Sequence, residues 1–348
     1  MKALSCKSLP RVLLLGTGGT IAMSPGANGT IEPALHVNDM VQAVPGLAVI
    51  ATLETVAFSN KPGASLTVSD LAELSGVVAA GFERGCHGAV VVQGTDTIEE
   101  TAFCLELLAR STQPIVVTGA MRGAQSPGAD GPANLMAAVT VAASSAAAGL
   151  GALVVLGDQV HAARHVQKTH TTLPSAFGSP GAGPLGELRE GHFIPLHRQT
   201  PLSSVSASTW RWHDSAVALL RIALDDDGRL LRALPQLGYR GAVIEAMGAG
   251  HVPAWLAPMI GELARQMPVV LSTRVAAGPV LRATYGFAGS EADLLARGAI
   301  HGGSLGGLKA RLLLRLLLAA GLQGDMLRLE FARRSLYEPY CSHPPPHV

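Results

Sequence analysis

The stretch that decides the fold is LLLGTGGTIA, residues 13–22, in which an apolar run leads directly into a turn of glycines and threonines. The run is continuous rather than alternating, which is typical of a strand buried on both faces of a parallel sheet. In open α/β sheets, ligands bind beyond the carboxyl ends of the strands. The sequence therefore predicts a functional site at this glycine-rich turn.

Five more apolar runs of the same kind follow, at 88–92, 114–117, 152–156, 241–244 and 268–271. Helical patterns lie between them. Thr67 stands three residues before Asp70, and Thr97 three residues before Glu100, so both threonines are predicted to begin helices through capping boxes. Strands that alternate with helices predict an α/β protein of two α/β domains. The larger N-terminal domain is expected to hold a mostly parallel sheet and the smaller C-terminal domain a parallel sheet.

The alternation lapses between residues 173 and 214, a segment that contains five prolines and several glycines. Proline and glycine clusters of this kind are typical of domain boundaries. We predict an N-terminal domain over 1–190, a linker over 191–213 and a C-terminal domain over 214–348.

Composition narrows the range of partners. The chain has 348 residues, 48% of them apolar, which is enough to bury a core without metal or disulfide staples. Lysine and arginine number 26 and aspartate and glutamate 25, so the formal charge of +1 provides no field to hold nucleic acid or an anionic membrane. A small neutral or zwitterionic ligand is therefore expected, with neither nucleic acid nor membrane as a partner.

Cysteine usage and the N-terminal sequence predict a cytoplasmic protein. The four cysteines stand far apart and form no CxxC pair, which argues against a disulfide framework or a zinc site. The N-terminal apolar run is too short for a secretory signal. The uncharged stretch 135–157 is long enough to span a bilayer, but its serines and glycines favour a buried helix, a turn and a buried strand.

Two motifs carry polar side chains at predicted strand ends. The glycine-rich turn lacks both the third glycine of a dinucleotide fingerprint, where Ile21 stands, and the lysine of a Walker motif, so it leaves Thr17 and Thr20 beside a substrate. The non-functional alternative is a tight structural turn with capping threonines. In GTDT, Asp96 follows Thr95 on a loop that faces a helix N-terminus, where an ionised carboxylate can orient a nucleophile or water. Asp96 alone could equally be a helix cap.

A third candidate lies in residues 158–172, where Lys168 follows another predicted strand. A lysine beside a threonine and an aspartate stabilises the carboxylate and, when desolvated, accepts a proton. By itself such a lysine is most often a solvated surface charge.

Two rival motifs are weaker. Residues 302–306 satisfy GxSxG around Ser304, but a nucleophile elbow needs a buried strand before it, and 297–301 is only weakly strand-like. His161 and His165 stand four apart, yet position 162 is alanine instead of the glutamate of HExxH, so a surface histidine pair is expected and no metal.

Together, the motifs resemble the bacterial L-asparaginase and glutaminase family over almost the whole chain. They occur in the family's order and spacing. The matching segments are TGGTIA at 17–22, GTDTIEETA at 94–102, TGAMR at 118–122, ADGPANL at 129–135, the R-x-V-x-K-T pattern at 164–169, 273–275 and 309–311.

The resemblance implies a threonine amidohydrolase that needs no metal or organic cofactor. Thr20 would attack the side-chain amide of L-asparagine, release ammonia and leave an acyl-enzyme that water resolves. Thr95, Asp96 and Lys168 would form the companion triad, with Asp96 holding the substrate's α-amino group. The predicted substrate-binding residues are Gly19, Gly63, Ala64, Ser65, Gly94, Ala120 and Glu291.

Three positions depart from the family pattern. The family's loop tyrosine falls on Thr30, and all four tyrosines of this chain lie in its last third. A threonine hydroxyl is shorter and far less acidic than a phenol, so we predict that Tyr285, from the C-terminal domain, takes over the catalytic support. Gly63 aligns with the family's carboxylate-binding serine, and the family's GNG turn reads GAG at 248–250.

These departures leave the substrate open. Glutamine, D-asparagine or another amide remain alternatives to L-asparagine, and a non-catalytic amino-acid or amide binding protein is the rival from a different class. A nucleotide-binding oxidoreductase fails on Ile21. The resemblance also implies a homo-oligomer, a dimer or tetramer.

Overall fold

The computed structural model describes residues 8–18, 23–25, 31–33 and 37–335, with backbone only at 23–25 and 31–33. Contacts divide the chain into two units, Met1–Ser204 and Val205–Val348, here called unit 1 and unit 2. The strands of unit 1 are β1 Arg11–Gly16, β2 Met23–Pro25, β3 Ile31–Pro33, β4 Thr52–Ala57, β5 Gly88–Val92, β6 Ile115–Thr118, β7 Ala152–Leu156, β8 Gln159–Ala162, β9 Gln167–Lys168, β10 Phe177–Gly178, β11 Gly186–Arg189 and β12 His192–Pro195. Its helices are α1 Val37–Gln42, α2 Val68–Glu83, α3 Ile98–Leu108 and α4 Gly131–Ala143.

Eight strands of unit 1 form one sheet in the order β12-β11-β8-β7-β6-β5-β1-β4. The strands β4, β1, β5, β6 and β7 are parallel, whereas β8, β11 and β12 add an antiparallel edge. The chain places β4 on one side of β1 and then β5 on the other. This reversal of strand order opens a crevice at the carboxyl ends of β1 and β5, which is where open α/β sheets bind ligands.

The parallel strands are buried on both faces because helices cover both. Val12 and Leu14 of β1 belong to a core that includes Leu135 and Val139 of α4. Leu13 points the other way, where a Cβ on Gly81 of α2 would lie 2.5 Å from its Cδ2 atom. Burying such a leucine fully stabilises the fold by about 1.5–3 kcal/mol. The continuous apolar runs are therefore strands with two buried faces, as predicted.

Helix α2 begins with the predicted capping box. The backbone N–H of Asp70 donates to Thr67 Oγ1 at 3.1 Å, and the backbone N–H of Thr67 donates to Asp70 Oδ2 at 2.8 Å. The stretch 135–157 also folds as predicted, into α4, a turn and β7. None of the helices in the described residues is long and apolar enough to cross a membrane.

Unit 2 is a smaller α/β unit. Its strands are β13 Val217–Arg221, β14 Gly241–Ala246, β15 Val269–Thr273 and β16 Ile300–His301, and its helices are α5 Arg229–Ala233, α6 Ala257–Gln266, α7 Glu291–Ala296, α8 Gly307–Ala319 and α9 Gly324–Arg334. The four strands pair in chain order and all pairs are parallel. The predicted fold class, with a large mostly parallel sheet followed by a small parallel one, is confirmed.

The division between Ser204 and Val205 lies within the segment 191–213 that the sequence suggests as a linker. Part of that segment, His192–Pro195, is β12 at the edge of the large sheet. The linker bounds stay a prediction.

Candidate active site

Four loops of unit 1, those after β1, β4, β5 and β6, lie at the carboxyl ends of the parallel strands. Gly16 at the end of β1 is paired with Ala57 of β4 on one side and with Val92 of β5 on the other. The backbone N–H of the fully buried Thr17 donates to Val92 O at 3.0 Å, and Thr17 O accepts from the backbone N–H of Lys61 at 3.0 Å. The loop after β1 is thereby tied to both neighbouring strands as it leaves the sheet.

The first glycine-rich motif is only partly described. Gly18 has a φ of +102°, and a Cβ there would lie 2.8 Å from Lys61 O, so only glycine fits this turn. The predicted nucleophile Thr20, the predicted substrate contact Gly19 and the family's tyrosine position, Thr30, lie outside the described residues.

Lys168 contacts both Thr95 and Asp96 of the GTDT motif. Its Nζ donates to Thr95 Oγ1 at 2.9 Å and to Asp96 Oδ1 at 2.7 Å. The side chain of Lys168 is 17% exposed, whereas that of Asp96 is 68% exposed. The structure therefore brings together the predicted triad, with a shielded ammonium group and a carboxylate that is open to solvent.

This arrangement determines what Thr95 and Asp96 can do. Thr95 is buried, and because its Oγ1 accepts from the ammonium, its own hydrogen is left to donate elsewhere. Lys168 contacts Oδ1 of Asp96, and Oδ2 has no hydrogen bond from any described residue. A free carboxylate oxygen beside a shielded cation and a hydroxyl suits a zwitterionic ligand.

The segment that delivers Lys168 is fixed at three points. In the β9–β10 pair, Lys168 lies opposite Phe177. The backbone N–H of Lys168 donates to Glu99 Oε1 of α3 at 3.4 Å. Upstream, Nδ1 of the buried His161 lies 3.0 Å from Ser179 Oγ, and desolvation lowers the pKa of His161 to about 4, so its ring is neutral near pH 7.

A buried ion pair anchors the same segment. Arg164 Nη2 donates to Glu106 Oε1 of α3 at 2.8 Å, and the two side chains are 8% and 1% exposed. The pair also holds the chain after β12, because Glu106 Oε1 accepts from Leu202 N at 3.0 Å and Arg164 Nη2 donates to Thr200 O at 2.6 Å. Arg164 acts as a positioning residue for the Lys168 segment.

A chain of hydrogen bonds links the GTDT loop to the loop that contains Gly63. The fully buried Gln93 donates through Nε2 to Gly94 O and to Thr97 Oγ1, both at 3.2 Å. Thr97 Oγ1 in turn donates to Gly63 O at 2.9 Å. The predicted capping box at Thr97 is wrong, because its hydroxyl serves this link and caps no helix N–H.

Gly63 and Gly94, both predicted to bind substrate, are in direct contact. A Cβ on Gly63 would lie 2.8 Å from Gly94 O, so a larger residue would separate the two loops. Ala64 and Ser65 follow Gly63 in a single 3₁₀ turn and are exposed. The sequence did not predict the role of Gln93 in this link. A glutamine that follows an apolar strand carries no sequence signal for a hydrogen bond to a neighbouring loop.

The loop after β6 holds the buried Ala120, predicted to contribute backbone contacts. Asp130 fixes this loop through both oxygens, since Oδ2 accepts from Met121 N at 3.0 Å and Oδ1 from Arg122 N at 2.9 Å. Asn134 of α4 donates to Gly119 O at 2.9 Å. Asp130 and Asn134, which the reasoning from sequence left without roles, fix the loop that begins where β6 ends.

In unit 2, Tyr285 and Glu291 form a separate cluster. Glu291 is buried, and its Oε1 accepts from the backbone N–H groups of Thr284 and Tyr285 at 2.9 and 2.8 Å. Its Oε2 lies 3.2 Å from His251 Nε2. The ring of Tyr285 is edge-on to that of His251, with centroids 4.7 Å apart, and Tyr285 is 42% exposed. Glu291 therefore fixes the backbone that presents an exposed phenol, and the roles predicted for both residues stay predictions.

The rival motifs do not form sites. Ser304 is exposed in the turn before α8, and the strand before it, β16, is only two residues long. His161 lies on β8 and is 1% exposed, so the expected surface histidine pair is wrong. Among the described residues, no group of three or more histidine, cysteine, aspartate or glutamate side chains could hold a metal ion.

Family comparisons cover both units. Residues 11–201 match the family described as asparaginase, N-terminal, and residues 216–331 match the glutaminase/asparaginase C-terminal domain. A protein of Deinococcus radiodurans named "Probable L-asparaginase" is 38% identical, over 94% of this chain and 98% of its own length. An L-asparaginase of Bacillus licheniformis is 31% identical, over 90% of this chain and 97% of its own length.

A solved structure shares the fold. It is described as a probable cytoplasmic L-asparaginase from Campylobacter jejuni, and it matches with a TM-score of 0.81 and 30% identity, over 92% of this chain and 99% of its own. A Haemophilus influenzae relative, 32% identical over 89% of both chains, is named as a probable periplasmic L-asparaginase. By these matches, which span both units, the chain belongs to the L-asparaginase/glutaminase family.

Proposed function

We propose that the protein is an L-asparaginase that hydrolyses L-asparagine to L-aspartate and ammonia. The observation that carries this proposal is the contact of Lys168 Nζ with both Thr95 Oγ1 and Asp96 Oδ1, at the strand end next to the glycine-rich turn. The relatives from D. radiodurans and B. licheniformis, which carry the asparaginase name, support the substrate.

In the proposed mechanism, Thr20 is the nucleophile. Its hydroxyl attacks the side-chain carboxamide carbon, ammonia leaves, and water hydrolyses the resulting acyl-enzyme to free aspartate. The loop that carries Thr20 leaves the sheet beside β5, which supports its approach to Thr95. Lys168 stabilises the Asp96 carboxylate and exchanges protons with the reacting groups through Thr95, while Asp96 Oδ2 receives the α-ammonium group of the substrate.

The backbone of the fixed loops supplies the remaining contacts. In this scheme the backbone N–H groups of Gly94 and of the buried Ala120, with a contact from Gly19, would bind the carboxamide oxygen and the substrate. A fixed donor of this kind lowers a barrier by about 3 kcal/mol. Gly63, Ala64 and Ser65 bind the α-carboxylate in this scheme. The substrate-binding role predicted for Glu291 is left to its support of the Tyr285 backbone. No cofactor or metal takes part in this scheme.

Ammonia release tests the proposal directly. We expect the wild-type protein to release ammonia fastest from L-asparagine in a panel with L-glutamine, D-asparagine and small dipeptide amides. Thr20→Val, which is isosteric but lacks the hydroxyl, should abolish release, while Thr20→Ser should retain part of it. If another amide released ammonia fastest, that amide would replace L-asparagine as the proposed substrate, and the mechanism would be unchanged. Binding of L-asparagine without turnover by the wild-type protein would overturn the enzyme and favour an amide-binding protein.

The contact between Gly63 and Gly94 makes a further prediction. Gly63→Ala should lower kcat/KM for L-asparagine at least tenfold, because the added Cβ forces Gly94 and the adjoining Thr95 away from their positions. The matched control is Gly76→Ala on α2, where a Cβ meets nothing within 4 Å. Gly76→Ala should leave kinetics unchanged and raise the free energy of unfolding by about 0.5–1 kcal/mol. Wild-type kinetics in Gly63→Ala would contradict the proposed role of the loop contact.

We also propose that Tyr285 supports the nucleophile in place of the family's loop tyrosine, from the same chain or a neighbouring copy. Tyr285 presents an exposed phenol on a backbone that Glu291 holds. Tyr285→Phe should lower kcat at least tenfold because only the hydroxyl is lost. Tyr239→Phe, the same change elsewhere in unit 2, is the control. Equal kcat values for Tyr285→Phe and the wild type would refute this role.

The assembly and location complete the proposal. We infer a homo-oligomer, a dimer or tetramer, in the cytoplasm, with a small amide as ligand and with neither nucleic acid nor membrane as a partner. The formal charge of +1 supports the absence of nucleic-acid and membrane partners, and the Campylobacter relative, which is described as cytoplasmic, supports the location. Light scattering on the purified protein measures the mass of the assembly.

A further inference from the structure

Unit 2 contains a cavity at the amino-terminal edge of its parallel sheet. The cavity has a volume of about 540 Å³, within the range of small-molecule sites. It is lined by residues that precede β14 and β15, by the end of α8 and by the start of α9. The family site lies at the carboxyl ends of strands in unit 1, so the assigned chemistry makes no use of this cavity.

Four arginines surround the cavity, namely Arg211, Arg240, Arg265 and Arg328, and Asp214 is the one acidic residue among its lining. Arg328 Nη2 donates to Gly298 O at 2.8 Å. For the other three arginines, no carboxylate of the described residues lies within 4.0 Å. Arg221 and Arg229, two other exposed arginines of unit 2, are each paired with a carboxylate, Arg221 with Glu245 and Arg229 with Asp227. The cavity therefore concentrates positive charge that the described part of the chain leaves unbalanced.

The arginines are attached to fixed backbone. Arg240 N donates to Ala216 O at 2.8 Å, immediately before β14, and Arg211 N donates to Ala319 O at the end of α8 at 2.7 Å. Arg265 lies in the last turn of α6. The side chains of Arg211, Arg240 and Arg265 are exposed, so their guanidinium groups are accessible to an anion in the cavity.

The amino terminus of α9 faces the same space. Gln323, its N-cap, and Gly324 line the cavity, and no side chain caps the first turn. The first turn of α9 also carries the exposed carboxylate of Asp325, and without a side-chain cap its N–H groups and the helix dipole still favour an anion at this end. Guanidinium groups bind phosphate oxygens through two parallel hydrogen bonds, which an ammonium group cannot do.

We propose that this cavity binds a small oligophosphate. Four guanidinium groups against one carboxylate exceed what a single amino-acid carboxylate would balance, whereas a diphosphate carries enough charge and enough oxygens to contact several arginines. Tyr239, half-buried in the cavity wall, offers a ring on which an attached base could stack. The ligand is thus either inorganic diphosphate or a nucleoside diphosphate.

Calorimetric titration of the full-length protein with pyrophosphate tests the proposal. We expect saturable binding of one pyrophosphate per chain with a Kd below 1 mM, which corresponds to a binding free energy of about −4 kcal/mol. ADP should bind at least tenfold more tightly if a nucleoside diphosphate is the ligand, and equally if the phosphate groups alone are recognised. Succinate is the dicarboxylate control. Succinate binding as tight as that of pyrophosphate, or no saturable pyrophosphate binding, would overturn the proposal.

Variants locate the site. Arg240→Ala/Arg265→Ala should weaken pyrophosphate binding at least tenfold, while Arg232→Ala, an exposed arginine of α5 outside the cavity, should leave it unchanged. Arg240→Lys keeps the charge but loses the two-pronged geometry, so it should weaken binding several-fold even if the double variant does not fold. Ammonia release in the absence of phosphate should be unaffected in all three, so failure here is distinguishable from failure of the asparaginase proposal. Unchanged pyrophosphate affinity in both cavity variants would refute this location.

Discussion

Lys168→Met is expected to lower kcat for L-asparagine hydrolysis by about 1,000-fold, within the range typical of a lost proton-transfer group. Methionine has similar length but donates no hydrogen bond, so Thr95 Oγ1 loses its donor and the Asp96 carboxylate loses its cation. Substrate binding depends less on the ammonium group of Lys168, because Asp96 itself remains to receive the substrate's amino group. KM should therefore change less than kcat.

Two controls separate this chemistry from a general loss of charge. Lys168→Arg keeps a cation beside Asp96, but a guanidinium group does not give up its proton, so kcat should still fall about 100-fold while KM stays near that of the wild type. Arg189→Met removes a surface cation that pairs with Glu187 on β11, and it should leave both constants unchanged. Steady-state ammonia release measures all three variants. If Lys168→Met kept more than a tenth of the wild-type kcat, Lys168 would be structural.

The strands that are buried on both faces could be predicted from the sequence, and so could the position of Thr95, Asp96 and Lys168 beyond strand ends. Runs such as 88–92 lack polar residues because both of their faces are covered, and that cause can be read from the sequence alone. Position beyond a strand end, together with the family resemblance, was enough to select Thr95, Asp96 and Lys168, which the structure brings together.

Features that depend on distant partners were not predictable. The Thr97 hydroxyl fits the capping pattern locally, but Gly63 O, which lies 34 positions away in the chain, takes its hydrogen bond. His161 looks like a surface residue by spacing, yet it lies on β8, and the antiparallel edge of the sheet buries it. Short strands in a segment rich in proline and glycine give no periodic signal, so that edge stays hidden until the sheet is assembled.

Breaking the ion pair between Glu106 and Arg164 should have the largest effect on stability. Glu106→Leu leaves the Arg164 guanidinium, 8% exposed, without its carboxylate, and it also removes the acceptor for Leu202 N. Loss of one partner from a buried pair costs about 3–5 kcal/mol. Arg164→Leu should cost a similar amount, because it leaves a buried carboxylate and an unpaired Thr200 O. The surface pair of Arg229 with Asp227 gives the comparison, and Arg229→Met should cost less than about 1 kcal/mol.

The double variant Glu106→Leu/Arg164→Leu distinguishes the loss of the ion-pair attraction from the cost of leaving one buried charge unpaired. With both charges gone, two leucines can pack together, so the double variant should be more stable than the sum of the single losses predicts. It should remain less stable than the wild type, because Leu202 N and Thr200 O lose their partners. All three tryptophans lie in unit 2, so tryptophan fluorescence does not report on unit 1. Amide hydrogen exchange in α3 and β7 therefore measures the stability of unit 1. Additive losses would mean that Glu106 and Arg164 do not act as a pair, and the anchor assigned to the Lys168 segment would have to lie elsewhere.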